Sequence, residues 1–310
     1  MVIYRRTPGT DLEQIHEFAE GCWVSLVDPT PAEIEEIHQK LAIPQDFITS
    51  SLDLGEIPRA EKEDGIHLII IRVPVDVGKE SDIPYTTVPL SIVMTDGVVL
   101  TSSKIRNPVV EEMASGRVRS LDTAKRNRFL LRVLLETGKQ FLHYLSEINR
   151  EVELLEDKLQ MSLRNREVLG LLKYQKSLTL FTTALRSDEL VMARLQKGQL
   201  FQMYPEDEDL LEDVLTEIGQ AIQMTDVSTG ILSQMMDAFA SIISNNLNVV
   251  MKFLASATII LALPTLIASI YGMNLDLPFQ RHPQAFFITM GTAVLISLVV
   301  VVVFIRKDWL

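Results

Sequence analysis

The spacing of apolar positions changes character several times along this chain, and each change predicts a different kind of element. Through the first 60 residues short apolar pieces alternate with turn signals. Within them Asp28-Pro29-Thr30-Pro31-Ala32-Glu33 marks a helix start, with Thr30 as N-cap, Pro31 at the first helical position and Glu33 at N3. That helix is predicted to run to about Leu41, and Pro44 opens another short one. Three strand candidates follow, at Ile66 to Val75, Thr87 to Thr95 and Val98 to Ser102. The first two are rich in isoleucine and valine, and Asp96-Gly97 is a two-residue hairpin turn between the second and third. Strands preceded and followed by helices predict an N-terminal α/β domain within residues 1–120.

From Asp122 to Gly198 the pattern becomes a long helical periodicity without proline. Leu130, Leu134, Phe141, Leu145, Ile148, Val152 and Leu155 keep the three-and-four spacing of one apolar face. A break near Asn165 allows a second, antiparallel helix from Glu167 to about Gln196, so residues 121–204 read as a helical hairpin. Pro205 opens a further helix, with four acids immediately after it. Nothing stops that helix before Pro264, although Gly219 and Gly230 weaken it by up to ~1 kcal/mol each. It would run through 205–271, about 65 residues and roughly 100 Å at the α-helical rise. Pro264 is tolerated inside a membrane helix when neighbours satisfy the freed carbonyl.

The distribution of charge sets the end of the chain apart. No charged residue occurs from Phe253 to Leu275 or from Pro283 to Ile305. Each run exceeds the roughly 20 residues that cross about 30 Å of hydrocarbon. The fold class predicted is therefore an α+β membrane protein. A very long stalk helix continues into the first of two C-terminal transmembrane helices. A loop spans 272–284, the second span covers 285–305, and a short basic tail closes the chain at 306–310. Lys252 precedes the first span and Arg306 and Lys307 follow the second, while Arg281 is the basic residue of the loop. The positive-inside tendency then places both termini, and with them the α/β domain, in the cytoplasm. The protein is expected to be a multi-pass protein of the cell (inner) membrane. No apolar stretch of signal-peptide length follows Met1-Val2-Ile3-Tyr4-Arg5-Arg6.

The formal charge of −12 argues against a nucleic-acid partner and is compatible with divalent cations. Cys22 is the only cysteine, which excludes an intramolecular disulfide and any multi-cysteine zinc site. His16, His38, His67, His143 and His282 show no metal-ligand spacing. Without a glycine-rich phosphate loop or a nucleophile motif, neither an enzyme nor a nucleotide partner is expected.

Two features of the long helix carry the candidate chemistry. Between Pro205 and Asn246 there are nine acids and no lysine or arginine: Glu206, Asp207, Glu208, Asp209, Glu212, Asp213, Glu217, Asp226 and Asp237. One-sign decoration points to partners elsewhere, either cations gathered at a surface or salt bridges to the basic helices at 122–200. The second feature is a stripe. Steps of four and three from Asp237 give Ser241, Ser244, Asn248, Met251, Ala255, Thr258, Ala262, Thr265, Ser269 and Gly272. Every member is small or polar except Met251, while Phe239, Ile242, Leu247, Phe253 and Leu261 lie on other faces. Such a stripe lines a water-filled path or packs closely against another helix, and Asp237 and Asn248 favour the path. One chain supplies one lining helix, so a pore needs several copies. A wall of Asn, Thr, Ser and Gly can hydrogen-bond hydrated Mg²⁺ without stripping it. Met251 and Leu254 would form an apolar constriction that closes by dewetting.

Tyr271-Gly272-Met273-Asn274 between the two spans resembles the signature of the CorA magnesium-transporter family, the two-transmembrane Gly-Met-Asn metal ion transporters. The likeness extends to Ser244-Asn245-Asn246-Leu247-Asn248-Val249-Val250-Met251-Lys252 and to the closing Lys307-Asp308-Trp309-Leu310. It implies a homopentamer with a cytoplasmic α/β funnel and a five-helix central pore. The function expected is passive Mg²⁺ uptake driven by the membrane potential and gated by cytoplasmic Mg²⁺, with Co²⁺ and Ni²⁺ able to pass as hydrated ions without being the physiological substrate. By resemblance Gly272, Met273 and Asn274 form the selective outer mouth, Asn248 a polar ring near the inner end and Asp237 an acidic ring at the entrance. Met251 and Leu254 resemble the hydrophobic gate. Mg²⁺ is then also a regulatory ligand, and the matching acids are Glu63, Asp64, Glu136 and Asp213. Two departures stand out. Many relatives carry a proline followed by glutamate in the outer loop, where this chain has Leu277-Pro278-Phe279-Gln280-Arg281-His282 and keeps Asp276 as its loop acid. A second narrow point, often methionine in relatives, is Ala262 here, and the neighbouring proline is shifted by one to Pro264.

A zinc- or other transition-metal-transporting branch of the same superfamily is the alternative. It would favour imidazole or thiolate ligands, yet His282 is the only histidine near the spans and Cys22 is far away. A membrane-anchored scaffold would need neither the polar stripe nor the loop motif.

Overall fold

The computed structural model describes residues 1–7, 11–161, 165–198, 204–274, 277–278, 282–307 and 309. The chain divides into two compact units, Met1–Gln234 and Met235–Leu310. Among the described residues of the first unit, seven strands form one sheet in the order β2-β1-β3-β7-β6-β5-β4. They are β1 (Val2–Arg6), β2 (Glu13–Ile15), β3 (Cys22–Val27), β4 (Arg59–Glu63), β5 (Ile66–Asp76), β6 (Tyr85–Met94) and β7 (Val98–Ser103). Neighbours run antiparallel except β3 and β7, which pair in parallel from Cys22↔Val98 to Val27↔Ser103.

The predicted strands are β5, β6 and β7, and Asp96-Gly97 does join the last two, with the Thr95 amide donating to the Val98 carbonyl at 3.0 Å. The other four strands lack a period-2 signal. β3 is an almost wholly buried run, Cys-Trp-Val-Ser-Leu-Val, and β2 has three residues. β4 reads Arg-Ala-Glu-Lys-Glu, an edge strand whose charges face water and discourage pairing with another sheet.

Helices cover both faces of the sheet. Helix α1 (Pro31–Leu41) carries the predicted capping box: the Glu33 amide donates to Thr30 Oγ1 at 3.3 Å, and the Thr30 amide donates to Glu33 Oε2 at 2.8 Å. With α2 (Gln45–Thr49) it buries Ile37, Ile43 and Ile48 against Cys22, Val24, Leu68, Ile70 and Leu100. After the short α3 (Pro108–Ala114) come the two helices of the hairpin, α4 (Arg126–Met161) and α5 (Asn165–Gln196). Leu130, Leu134, Phe141, Leu145, Ile148 and Val152 of α4 are buried, as their spacing predicts, and Leu155 is half-buried. Phe141 meets Phe181 of α5 edge-on at 5.0 Å. Phe129 packs on Trp23 at 5.2 Å between ring centres, while Trp23 Nε1 donates to Thr101 Oγ1 at 2.9 Å. Helix α6 (Pro205–Tyr271) continues through Pro264, and α7 (Ala285–Arg306) follows it. The early turns of α6 bury Leu210, Val214, Ile218 and Ala221. Gly138 of α4 permits this close packing, because a Cβ there would lie 3.0 Å from Glu217 Cβ.

Among the described residues, α6 and α7 are the two helices long and apolar enough to cross a membrane.

Candidate permeation path on helix α6

Asp237, Ser241, Ser244, Asn248, Met251, Leu254, Ala255, Thr258, Ala262, Thr265, Ser269 and Gly272 are all exposed in the single chain. Ser256, by contrast, is fully buried, and Ile260, Leu263, Pro264 and Ile267 are half-buried. Positions 256, 260, 263 and 267 also step by fours and threes, and at 100° per residue they lie opposite the stripe. This second face turns toward α7: the Ser256 hydroxyl donates to the Trp309 carbonyl at 3.5 Å. Pro264, Ile267 and Ala268 line a cavity of about 670 Å³ with Phe286, Thr289 and Ala293. From Ser256 onward the chain thus covers one side of α6 with its own second span, and it leaves open the small and polar stripe together with flanking apolar residues such as Phe253, Leu261 and Leu266.

The stripe also winds. Alternate steps of four and three average 3.5 residues, and a straight α-helix drifts ~20° per heptad against that repeat. From Asp237 to Gly272, five heptads, the drift reaches roughly 100°. Thr265 and Gly272 accordingly reach the rim of the cavity shared with α7.

Local chemistry on the stripe favours acceptors. The Thr258 hydroxyl donates to the Leu254 carbonyl at 2.8 Å and the Thr265 hydroxyl to the Leu261 carbonyl at 3.0 Å. Each hydroxyl hydrogen is therefore used within the helix, and the oxygen lone pairs are left to accept from water, including water held by a cation. Met251 and Leu254 are more than half exposed, at 56% and 58%, so the apolar constriction predicted for them would have to form between copies.

At the outer end the Gly272 amide donates to the Ala268 carbonyl at 3.0 Å, and the Met273 amide to the Ile270 carbonyl at 3.2 Å. A Cβ on Gly272 would lie 3.3 Å from the Ala268 oxygen, so glycine lets this last turn close tightly. The last turn of α6 carries no basic residue. Its carbonyl end keeps the partial negative charge of a helix C-terminus, which favours a nearby cation. Met273 and Asn274 are exposed there, and the Tyr271 hydroxyl ties the loop by donating to the Pro278 carbonyl at 3.3 Å. Asp276, Phe279, Gln280 and Arg281 lie outside the described residues, as do Asp308 and Leu310 of the closing motif.

The acids of α6 divide. Glu206 pairs with Lys125 at 3.3 Å, Asp207 with Arg128 at 3.2 Å and Asp226 with Arg186 at 2.6 Å. Those three meet the basic helices, as one of the two sequence readings has it. Glu208, Asp209, Glu212 and Asp213 face solvent.

The acids matched to a regulatory role stand on separate elements. Glu63 ends β4, and Asp64 sits in the following turn with φ 47°, both exposed. Glu136 on α4 pairs with Lys139 at 2.8 Å. Burial lowers the Arg132 pKa and Arg128 adds to that shift, while Glu136 and Asp213 both oppose it, which brings these two acids near one guanidinium. Among the described residues no three His, Cys, Asp or Glu side chains converge as metal ligands. Sequence reasoning misses Ser256 and Arg132. The available signal for Ser256 is a polar residue off the stripe within an apolar turn.

The profile of a family described as CorA-like Mg²⁺ transporter protein matches residues 18–307. A cobalt/magnesium transport protein CorA of Methanocaldococcus jannaschii is 33% identical over 305 residues, covering 93% of this chain and 91% of that protein. Another protein of that name, from Thermotoga maritima, is 21% identical over 317 residues, covering 99% and 89%. The complete structure of the CorA magnesium transporter from Methanocaldococcus jannaschii matches with a TM-score of 0.86 at 27% identity, covering 100% of this chain and 99% of that one.

Proposed function

This chain belongs to the family of CorA-like Mg²⁺ transporter proteins, and from that premise we propose that it carries hydrated Mg²⁺ across a membrane along the α6 stripes of several copies. The observation that carries this reading is that the small and polar stripe of α6 is not the face its own second span covers. The stripe, small and polar from Asp237 to Gly272, is exposed between apolar flanks that include Phe253, Leu261 and Leu266, and it ends at Gly272-Met273-Asn274. Copies arranged about an axis would turn those faces inward and bring Met251 and Leu254 together as a narrow apolar segment.

In this reading the assembly is a homopentamer of the inner membrane with both termini in the cytoplasm. Asn274, Gly272 and Met273 select the ion at the outer mouth. Ser241, Ser244, Asn248, Thr258, Thr265 and Ser269 solvate its water shell, with Ala262 leaving width between them. An inside-negative potential supplies about 2.3 kcal/mol per charge per 100 mV, roughly double for a divalent ion, so no nucleotide need be consumed. Co²⁺ and Ni²⁺ would follow the same path as hydrated ions. Cytoplasmic Mg²⁺ closes the path by bridging acids of neighbouring copies, with Glu63, Asp64, Glu136 and Asp213 as candidate ligands.

The test is Mg²⁺ uptake into proteoliposomes carrying the full chain. Asn274→Ala should abolish the flux while assembly, followed by size-exclusion chromatography, stays intact. Unchanged flux in that variant would remove Asn274 from the mouth.

A further inference from the structure

Two described residues close the end of α7, Lys307 and Trp309. Its C-cap is Lys307, whose amide donates to the Val303 carbonyl at 3.1 Å and the Phe304 carbonyl at 3.2 Å. The Trp309 amide then reaches back to the Phe304 carbonyl at 3.0 Å. The same two residues also meet through their side chains, since the Trp309 and Phe304 rings stack 5.4 Å apart and 20° from parallel. The Trp309 carbonyl is thereby held in place, and it accepts from Ser256, a fully buried serine of α6. Ser256 lies two residues after Leu254 and two before Thr258, roughly 200° around the helix from each. It therefore backs the turn that presents the apolar pair Met251 and Leu254.

We propose that the C-terminal cap of α7 is a strut that holds α6 at its Met251–Leu254 turn, with Trp309 and Ser256 as positioning residues for ion passage. The proposal rests on the permeation reading for its effect on flux, but the docking of Trp309 on Ser256 stands apart from it. A tryptophan that merely anchors α7 at the membrane surface would be indifferent to what occupies position 256.

Two measurements on the full chain in liposomes test it. The chain has two tryptophans, so Trp23→Phe leaves Trp309 as the sole emitter. In that background Ser256→Leu should move Trp309 emission to longer wavelength, and Ser256→Ala should move it less. Unmoved emission in Ser256→Leu overturns the docking. In the flux assay Trp309→Ala, which removes the Phe304 stack that holds the carbonyl, should lower the maximal Mg²⁺ rate by roughly two- to tenfold, the population shift expected from one lost aromatic stacking contact. The half-saturating Mg²⁺ concentration should not change, and Trp309→Phe should restore most of the rate. Ser256→Leu should reproduce the Trp309→Ala loss, and the double variant should be no worse than either single one. Additive losses, or a Trp309→Phe variant as impaired as Trp309→Ala, overturn the strut. A wild-type chain that carries no Mg²⁺ would overturn the permeation reading, and with it the role in flux, while the emission result still decides the docking.

Discussion

Asp188 offers a sharp test of how the first unit is held together. In β5, Arg72 stands opposite Pro89 of β6, and the pairing with β4 has already ended at Ile70↔Arg59. The Arg72 amide is taken up by α5, where Asp188 Oδ1 accepts it at 2.9 Å. The Arg72 guanidinium is committed elsewhere, donating to Thr87 Oγ1 at 2.9 Å and to the carbonyls of Leu54 and Glu56 at 3.1 and 2.8 Å. Asp188 is fully buried, and among the described residues its Oδ2 has no hydrogen-bond partner. Burial pushes its pKa well above the usual carboxylate range, and the Arg72 amide and charge offset only part of that. A raised folded-state pKa means stability is fully present below the unfolded carboxyl's pKa. It is lost as pH rises toward the folded value, at up to about 1.4 kcal/mol per pH unit.

Asp188→Asn keeps an oxygen for the Arg72 amide and cannot ionise. Its stability should lie within about 1 kcal/mol of wild type at low pH and overtake wild type as pH rises. Asp188→Ala strands the amide and should be about 1–3 kcal/mol less stable than Asp188→Asn at every pH, so its deficit against wild type narrows as pH rises. Urea unfolding in detergent, followed by fluorescence of the buried Trp23 in a Trp309→Phe background from pH 5 to 8, would measure all three. A constant gap between wild type and Asp188→Asn across that range would refute the raised carboxyl pKa at this position.

Two further substitutions probe the anchoring of α6. Asp207 is 4% exposed by side chain and Arg128 22%, so Arg128→Ala should destabilise by about 2 kcal/mol, whereas the exposed Lys125–Glu206 pair should contribute about 0–1 kcal/mol by the same urea assay. At Gly138, alanine gains about 1 kcal/mol of helix propensity but overpacks against Glu217 at a cost of about 1–3 kcal/mol. Gly138→Ala should therefore lower the unfolding midpoint, and a raised midpoint would contradict the close α4–α6 approach.

The long elements are legible in the sequence because their signals are redundant. The α4 face repeats from Leu130 to Val152, the α1 cap spells out its start, and the uncharged runs outlast any soluble helix core of ordinary size. The short strands are not. β4 carries four charges in five residues, and only its partner β5 makes it a strand. On α6 the polar stripe is readable, but its winding toward α7 comes from helical geometry that the residue spacing alone conceals. Ser256 escapes a reading of the sequence because its partner, Trp309, lies 53 residues away. The acids of α6 are ambiguous for a similar reason: Arg128 and Arg186 have to be placed before Asp207 and Asp226 are seen to be paired.

The central claim is that one face of α6 lines the ion path, and cysteine modification of that helix tests it most directly. Cys22 is the only native cysteine and is fully buried, so background reaction is small. Cysteines introduced singly at Ser244, Thr258 and Ser269, and at Ile260, Leu263 and Ile267, would be treated with a water-soluble thiosulfonate during Mg²⁺ uptake. Block confined to the first three is the result expected. Block at the second three, or equally on both faces, would contradict the path.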